Sequence, residues 1–367
     1  MRVTCFIGSL SCGGAQRSLL ILAEHLSRRG HDITLMTHAS RGESDFFAIP
    51  AGVWRVYADP AASVDCRWFD FPAQQRRRRA FRESLIQTRA DVVLGFITIN
   101  NIRILQALEG TGIPVVACER SDPRICPINW RWRILQKKMY PKAAAVVVQS
   151  TELLDWARAE YPQWKTVAIC NPVLPPPEPK PPRPQFFQRE HNLVSLGRLA
   201  EEKRYDHLLK AYSSLAAEFP DWQLTIGGEG PERTALESLI RELNLTERVE
   251  LPGQIQEPYG LPGHADLFAM TSRFEGFPNT LAEAMACGVP AVSYDCPSGP
   301  RQIIRPEIDG ILVKNGDIEE LSQALASLMG DSHRRELYGT KAREVVERFR
   351  VEDVIDQWEG ILHRARE

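Results

Sequence analysis

The 367-residue chain has no run of about 20 consecutive apolar residues, so none of its segments can cross a bilayer as a helix. Its N-terminus, Met1-Arg2-Val3-Thr4-Cys5-Phe6-Ile7-Gly8, meets Gly and Ser too soon to form the apolar core of an export signal. Eight scattered cysteines make no C-x-x-C pair and no Cys/His cluster at zinc-ligand spacing. That pattern predicts a reducing compartment, with most of the thiols serving as small core residues. Charge of one sign is missing too: 45 Lys+Arg against 47 Asp+Glu leave a formal −2, which excludes a global basic footprint for nucleic acid. No repeat recurs at a period of about 20–50 residues.

What is present is an alternation. Short apolar, β-branched runs are separated by longer segments of helical periodicity, the pattern of parallel βαβ units. In the first half the runs predict strands at Arg2–Ile7, Asp32–Thr37, Asp91–Phe96, Pro114–Cys118 and Ala144–Gln149, with helices such as Ala15–Arg29 and Thr151–Glu160 between them. A stretch from Pro175 to Pro184 is so rich in proline that it sustains neither helix nor central strand, and it marks a linker over 173–190. The alternation then restarts. Strands are predicted at Leu193–Leu196, Gln223–Ile226, Val249–Leu251, Leu267–Met270, Ala291–Tyr294 and Gly310–Val313, and helices at Tyr205–Glu218, Pro231–Leu243, Leu281–Ala286, Ile318–Met329 and Ser332–Phe349. The length, against about 100–200 residues per domain, and this pattern predict an α/β protein of two doubly wound, Rossmann-like domains facing each other across a cleft. Their bounds fall at 1–172 and 191–348, with a C-terminal helix over 349–367 open to packing back on the first domain.

The most specific segment is Glu275-Gly276-Phe277-Pro278-Asn279-Thr280-Leu281-Ala282-Glu283-Ala284-Met285-Ala286-Cys287-Gly288-Val289-Pro290. It follows a predicted strand and opens a helix. Its loop offers unpaired main-chain N–H groups and a helix dipole to an anion, while Glu275 and Glu283 reach one ligand from two distances. On spacing alone, two solvated carboxylates on a strand-loop-helix unit are an equally good account.

Glu-x7-Glu in an E-G-F-P-N-T-x-x-E-A-M-A-x-G-x-P setting resembles the family 4 retaining glycosyltransferases of the GT-B fold. Gly197-Arg198-Leu199 with Glu202-Lys203 looks like that family's G-R-L-x-x-x-K element, Gly227-Gly228-Glu229-Gly230-Pro231 resembles its G-x-G-x loop, and Ser11-Cys12-Gly13-Gly14-Ala15-Gln16 is similar to its first glycine-rich loop. The resemblance implies an N-terminal acceptor-binding domain and a C-terminal domain that binds a nucleotide sugar. In it, Arg198 and Lys203 bind the donor diphosphate and stabilise the departing nucleotide. Glu283 takes the ribose hydroxyls, Glu275 faces the donor sugar, and the backbone of Gly276, Phe277, Pro278 and Asn279, with Thr280 and Leu281 at the helix start, lines the donor. Gly13 and Gly14 let backbone approach sugar and phosphates, or simply make a tight turn. Gly253 and Ile255, in a loop that is also a generic P-G turn, stand where the nucleobase is expected.

Many relatives carry a His in an N-terminal-domain loop. This chain instead reads Glu119-Arg120-Ser121-Asp122 after Cys118, which looks like a branch with an S-E-R-type motif, many of whose members transfer hexoses or N-acetylhexosamines onto lipid-linked oligosaccharides. Asp295-Cys296-Pro297-Ser298-Gly299-Pro300-Arg301 also resembles that branch. Glu119 and Arg120 are thus candidate sugar contacts. No D-x-D triplet occurs, so no metal and no cofactor is expected, the nucleotide sugar being a substrate. On the acceptor side, Arg78 with Arg82, or Arg79 with Arg82, share a helix face and can grip a diphosphate, and Trp130-Arg131-Trp132-Arg133-Ile134-Leu135-Gln136-Lys137-Lys138 suits a membrane interface. A solvated charge run and a core-packing helix with snorkelling cations account for the same two segments.

The resemblance implies a retaining transferase that moves a hexose or N-acetylhexosamine, UDP-linked, to a glycan. The acceptor is expected to be polyprenyl-diphosphate-linked, at the cytoplasmic face of a bacterial membrane, with peripheral membrane contact and no nucleic acid. The alternatives are a transferase with a soluble acceptor and a GT-B-fold sugar-nucleotide epimerase.

Overall fold

The computed structural model of the protein describes residues 1–38, 45–63, 70–126 and 128–367. The chain divides into two units, Met1–Pro172 with Glu352–Glu367, and Val173–Val351.

The first unit runs β1 (Arg2–Phe6), α1 (Gly14–Arg28), β2 (Asp32–His38), β3 (Val53–Ala58), α2 (Phe71–Gln87), β4 (Val92–Phe96), α3 (Thr98–Ala107), β5 (Val115–Cys118), α4 (Trp130–Met139), β6 (Ala145–Val148), α5 (Thr151–Glu160) and β7 (Thr166–Ala168). Its strands form one parallel sheet in the order β3-β2-β1-β4-β5-β6-β7. β4, β5 and β6 are buried along their whole length, as expected of strands covered on both faces, which is why they read as continuous apolar runs. α1 buries Leu19, Leu22, Ala23 and Leu26, a stripe at helical spacing. Ser150 caps α5 by accepting from the Leu153 amide.

The second unit runs β8 (His191–Leu196), α6 (Tyr205–Leu215), β9 (Trp222–Gly227), α7 (Arg233–Glu242), β10 (Val249–Glu250), β11 (Leu267–Met270), α8 (Asn279–Ala286), β12 (Ala291–Asp295), α9 (Pro300–Ile303), β13 (Gly310–Lys314), α10 (Ile318–Met329), α11 (Ser332–Ala342) and α12 (Val345–Arg348). Its parallel sheet is ordered β10-β9-β8-β11-β12-β13. A last helix, α13 (Val351–Arg366), joins the first unit for all but its first residue: Arg29 donates to Asp356 and Glu359, and Trp358 is 2% exposed.

Both sheets are doubly wound, so each has one place where the strand order reverses, between β1 and β4 in the first and between β8 and β11 in the second. Open α/β sheets bind ligands at the carboxyl ends of the strands at that place. Three sequence expectations need correcting. β3 and β7 are edge strands that the apolar runs do not reveal: β3 carries exposed Trp54 and Tyr57 around Arg55, and β7 has only three residues. The helix expected over Ser332–Phe349 breaks after Ala342 and resumes at Val345. Of seven described cysteines only Cys5, Cys118 and Cys296 are buried, and Cys66 lies outside the described residues.

His38, at the end of β2, packs edge-on against Phe6 at 5.1 Å. Burial pushes its pKa down to about 4, and Arg103 and Arg77 push the same way. A base that is harder to protonate in the folded chain stabilises the fold above its ordinary value of 6.5, and that stability is lost as pH falls through about 4. Denaturant stability is therefore expected to decline between those two pH values, by at most about 1.4 kcal/mol per pH unit from this group. His38→Leu should flatten that part of the profile. An unchanged slope would show that His38 does not report on folding.

Candidate active site

In the second unit the loops that follow β8, β9, β11 and β12 converge. β8 ends at Leu196, and Gly197-Arg198-Leu199 turns over the end of the sheet. A Cβ on Gly197 would stand 2.8 Å from the Tyr205 hydroxyl and 3.4 Å from Lys203 Cε. Gly228 adopts φ +143, and a Cβ there would meet the Gly197 carbonyl at 1.9 Å, so only glycine lets the loop after β9 lie on the G-R-L turn. A short 3-10 turn, Glu201–Lys203, closed by Arg204 at φ +49, lifts Lys203 over the strand ends.

Lys203 Nζ donates to Glu275 Oε1 at 2.6 Å, across 72 residues of sequence. The same oxygen accepts from Ser272 Oγ at 2.7 Å. Thr271 Oγ1 donates to the Lys203 carbonyl at 2.8 Å, and the Arg273 amide to the Glu202 carbonyl at 2.7 Å, which staples the loop after β11 to the turn after β8. The Lys203 and Glu275 side chains are 22% and 14% exposed, whereas Arg198, 65% exposed, reaches outward and donates to Glu202 at 2.6 Å. Burial works against ionisation of Glu202, yet the Arg198 guanidinium, with help from its own backbone and Lys203, holds its carboxyl below the ordinary range. Two cations and a shielded carboxylate thus sit at the reversal between β8 and β11. Thr271 and Ser272, which hold Lys203 and Glu275, are residues the sequence reading missed; their only signal was hydroxyls just ahead of a carboxylate.

The loop 275–279 is backed by a second one. Ser298, at φ +47, donates from Oγ to the Glu275 carbonyl at 2.8 Å. At Gly299, φ +141, a Cβ would come within 3.3 Å of both Glu275 Cβ and the Gly276 carbonyl. Phe277 and Leu281, expected to line the donor with their neighbours, turn their side chains inward. Phe277 packs edge-on against Phe349 at 5.3 Å, and Leu281 is wholly buried, so both can offer a ligand main-chain groups only. Pro278 is buried as well, while Asn279 and Thr280, the first residues of α8, are half-buried. Glu283 lies one turn into α8 and is 6% exposed. Gly253, at φ +85, accepts from the Gly228 amide, and Ile255 lies against Gly227, which brings this loop beside the other four.

In the first unit Gly13 precedes α1 in extended conformation and Gly14 is its first residue. Glu119 and Arg120 differ from their expected role as sugar contacts. Glu119 is 2% exposed and points into the unit, where it accepts from Thr98 Oγ1 at 2.6 Å, Gln136 Nε2 at 3.3 Å and the Tyr140 hydroxyl. Burial raises its pKa against the pull of those donors. Arg120 donates to Asn171 Oδ1 at 2.8 Å, and its guanidinium lies 4.4 Å over the Phe96 ring. A carboxylate with its acceptors committed inside the core has nothing to offer a sugar.

The arginines of α2 do not assemble a diphosphate grip either. Arg82 caps the C-terminus of α3 through the carbonyls of Ala107 and Glu109, both at 2.8 Å, Arg78 pairs with Glu109 at 3.1 Å, and Arg79 with Glu83 at 3.0 Å. In α4, Gln136 and Met139 face inward, while Trp130 and Ile134 are 64% and 56% exposed.

Two family models match the chain in succession, one described as Glycosyltransferase Family 4 over residues 12–175 and one as Glycosyl transferases group 1 over residues 178–345. The chain is 29% identical over 376 residues to an exopolysaccharide phosphotransferase of Streptomyces coelicolor, with 95% of this chain but 39% of that protein's length in the match. It is 25% identical over 374 residues to a Campylobacter jejuni α-1,4-N-acetyl-D-galactosaminyltransferase named for an undecaprenyl-diphosphate-linked glycan, with 100% and 99% of the two chains covered. The structure superposes on that of the Anabaena protein HepE in complex with UDP-glucose with a TM-score of 0.80, at 19% identity and 99% coverage of both chains.

Proposed function

The chain belongs to the family 4 glycosyltransferases of the GT-B fold and is itself a glycosyltransferase, and from that premise we propose that it moves a hexose or N-acetylhexosamine from a UDP-sugar to a polyprenyl-diphosphate-linked glycan with retention at the anomeric carbon. The observation that carries this reading is the Lys203–Glu275 pair, with Arg198 on the same turn, at the strand-order reversal of the second unit. A compact ammonium and an outward guanidinium are the groups that neutralise a departing diphosphate, Lys203 as a point charge and Arg198 as a bidentate fork. Glu283, one turn into the adjacent helix, is the acceptor for ribose hydroxyls, and the main chain of Gly276 to Asn279 with the N-terminus of α8 holds the sugar. In this reading Gly253 and Ile255 contact the base. With these two cations as the stabilising charges, transfer proceeds without a divalent ion through an oxocarbenium-like transition state.

The lipid-linked glycan in the C. jejuni relative's name supports the lipid-linked acceptor, and the UDP-glucose complex of the Anabaena protein supports the donor class. Among the described residues no helix is long and apolar enough to cross a membrane. Peripheral contact at the cytoplasmic face is supported by α4, which carries Trp130, Arg133, Ile134 and Lys137 at helical spacing with no acidic residue.

The test is transfer of label from a panel of UDP- and GDP-sugars into the lipid-extractable fraction of bacterial membranes, with EDTA throughout. Label from a UDP-sugar is the expected result. UDP binding without label in lipid moves the acceptor to a soluble glycan. Isomerised UDP-sugar without any acceptor would replace transfer by epimerisation.

A further inference from the structure

The first unit contains a backbone feature that its core does not explain. Ile97, between β4 and α3, adopts φ 77 and ψ 135, a combination left almost wholly to glycine, and it does so with a β-branched side chain. Burial does not offset the strain, since Ile97 is 39% exposed.

The conformation is nevertheless fixed from every side. The Ile97 amide donates to the Cys118 carbonyl at 3.1 Å, and its carbonyl accepts from the Asn101 amide at 3.0 Å. Next to it, Thr98 is tied to buried Glu119 at 2.6 Å. Asn101 Nδ2 donates to the Cys118 carbonyl at 3.0 Å and Asn100 Nδ2 to the Phe96 carbonyl at 2.9 Å. Thr98, Asn100, Asn101 and Glu119 are all buried polar residues, so this corner is held by a network that tolerates little movement. Glu119, committed to the core, thereby has a use: it anchors the residue that follows Ile97.

The corner also stands in a particular place. β1 and β4 are neighbours at the reversal of the first sheet, and a Cβ on Gly8, in the loop after β1, would lie 3.8 Å from Asn100 Nδ2. The loop after β1 carries Ser9 and Ser11, which hydrogen-bond each other at 3.1 Å, and Gln16 of α1 reaches Ser11. The loop after β1 thus reaches this corner at Asn100, and the corner presents one exposed aliphatic side chain, which suits the apolar face of a sugar ring.

We propose that Ile97 is a specificity-determining residue that contacts the glycan acceptor, its side chain presented by a strained main chain that the Glu119–Thr98–Asn101 network holds in place. This rests on the transferase reading above. The acceptor is assigned here because the charged groups suited to a nucleotide diphosphate gather at the other reversal, in the second unit.

Ile97→Gly separates strain from contact, because glycine adopts this backbone freely and removes the side chain. The variant is expected to melt higher than the wild type by about 2–4 °C. It should raise the apparent KM for the lipid extract that accepts label by about fivefold or more, while UDP binds both chains alike. A variant that melts lower overturns the strain, and one that keeps the wild-type KM overturns the contact. If the wild type transfers no label to lipid, the parent reading falls and this assignment falls with it.

Discussion

Lys203→Ala lowers turnover by about 100-fold or more, the order lost when one electrostatic donor is removed from a developing charge. The geometry makes this the largest single effect expected of a point substitution. Lys203 is shielded, held at 2.6 Å by Glu275, and fixed at its main chain by Thr271, so its ammonium needs little reorganisation to meet a diphosphate. Arg198→Ala acts in the same direction, also by about 100-fold, because a guanidinium engages two phosphate oxygens at once. Of the two, Lys203 is the less screened by water, at 22% against 65% side-chain exposure. Steady-state rates with saturating donor and UDP affinity by titration check both. Near-normal turnover in both variants would remove the pair from the donor site. A Lys203→Ala chain that melts far below the wild type would mean instead that Glu275 had lost a structural partner.

Glu119→Ala is the second large effect, and it falls on stability. Removing the carboxylate leaves the Thr98 and Tyr140 hydroxyls and the Gln136 amide without an acceptor inside the core, and an unsatisfied buried donor costs about 1–3 kcal/mol. A loss of about 3 kcal/mol or more is expected, read as a lower midpoint in urea denaturation. Glu119→Gln, which keeps the size and an acceptor oxygen, should recover most of it. The opposite pattern, a stable Glu119→Ala chain with weakened donor or acceptor binding, would restore the sugar-contact role that the residue's place after β5 first suggests.

The fold class and the enzyme family were legible in the sequence because both are carried by local features. Parallel strands buried on both faces read as apolar runs, and loops that lie closely on one another use glycine, so β4, β5, β6 and the loops at 197, 227 and 275 announce themselves. Edge strands β3 and β7 did not, since a strand with one free edge need not be apolar and a three-residue strand has no period to read.

Which way a side chain points is another matter. The segment Gly276 to Leu281 reads as a loop whose backbone lines a donor, and nothing local in it says that the Phe277 and Leu281 side chains turn into the core. Glu119 and Arg120 read as candidate sugar contacts, yet Thr98, Gln136 and Tyr140 draw the carboxylate inward. The arginines of α2 lie at the spacing of a diphosphate clamp, but Glu109 and the open carbonyls at the end of α3 claim two of them first. Nor does any local pattern mark Ile97, whose backbone strain exists only because α3 and the end of β5 hold it. The sequence by itself determined the elements, their parallel pairing class and the residue types able to do the chemistry, since these follow from periodicity and local composition. Orientation was decided by the tertiary structure alone, because a polar side chain settles on whichever partner the packed fold brings within hydrogen-bonding distance.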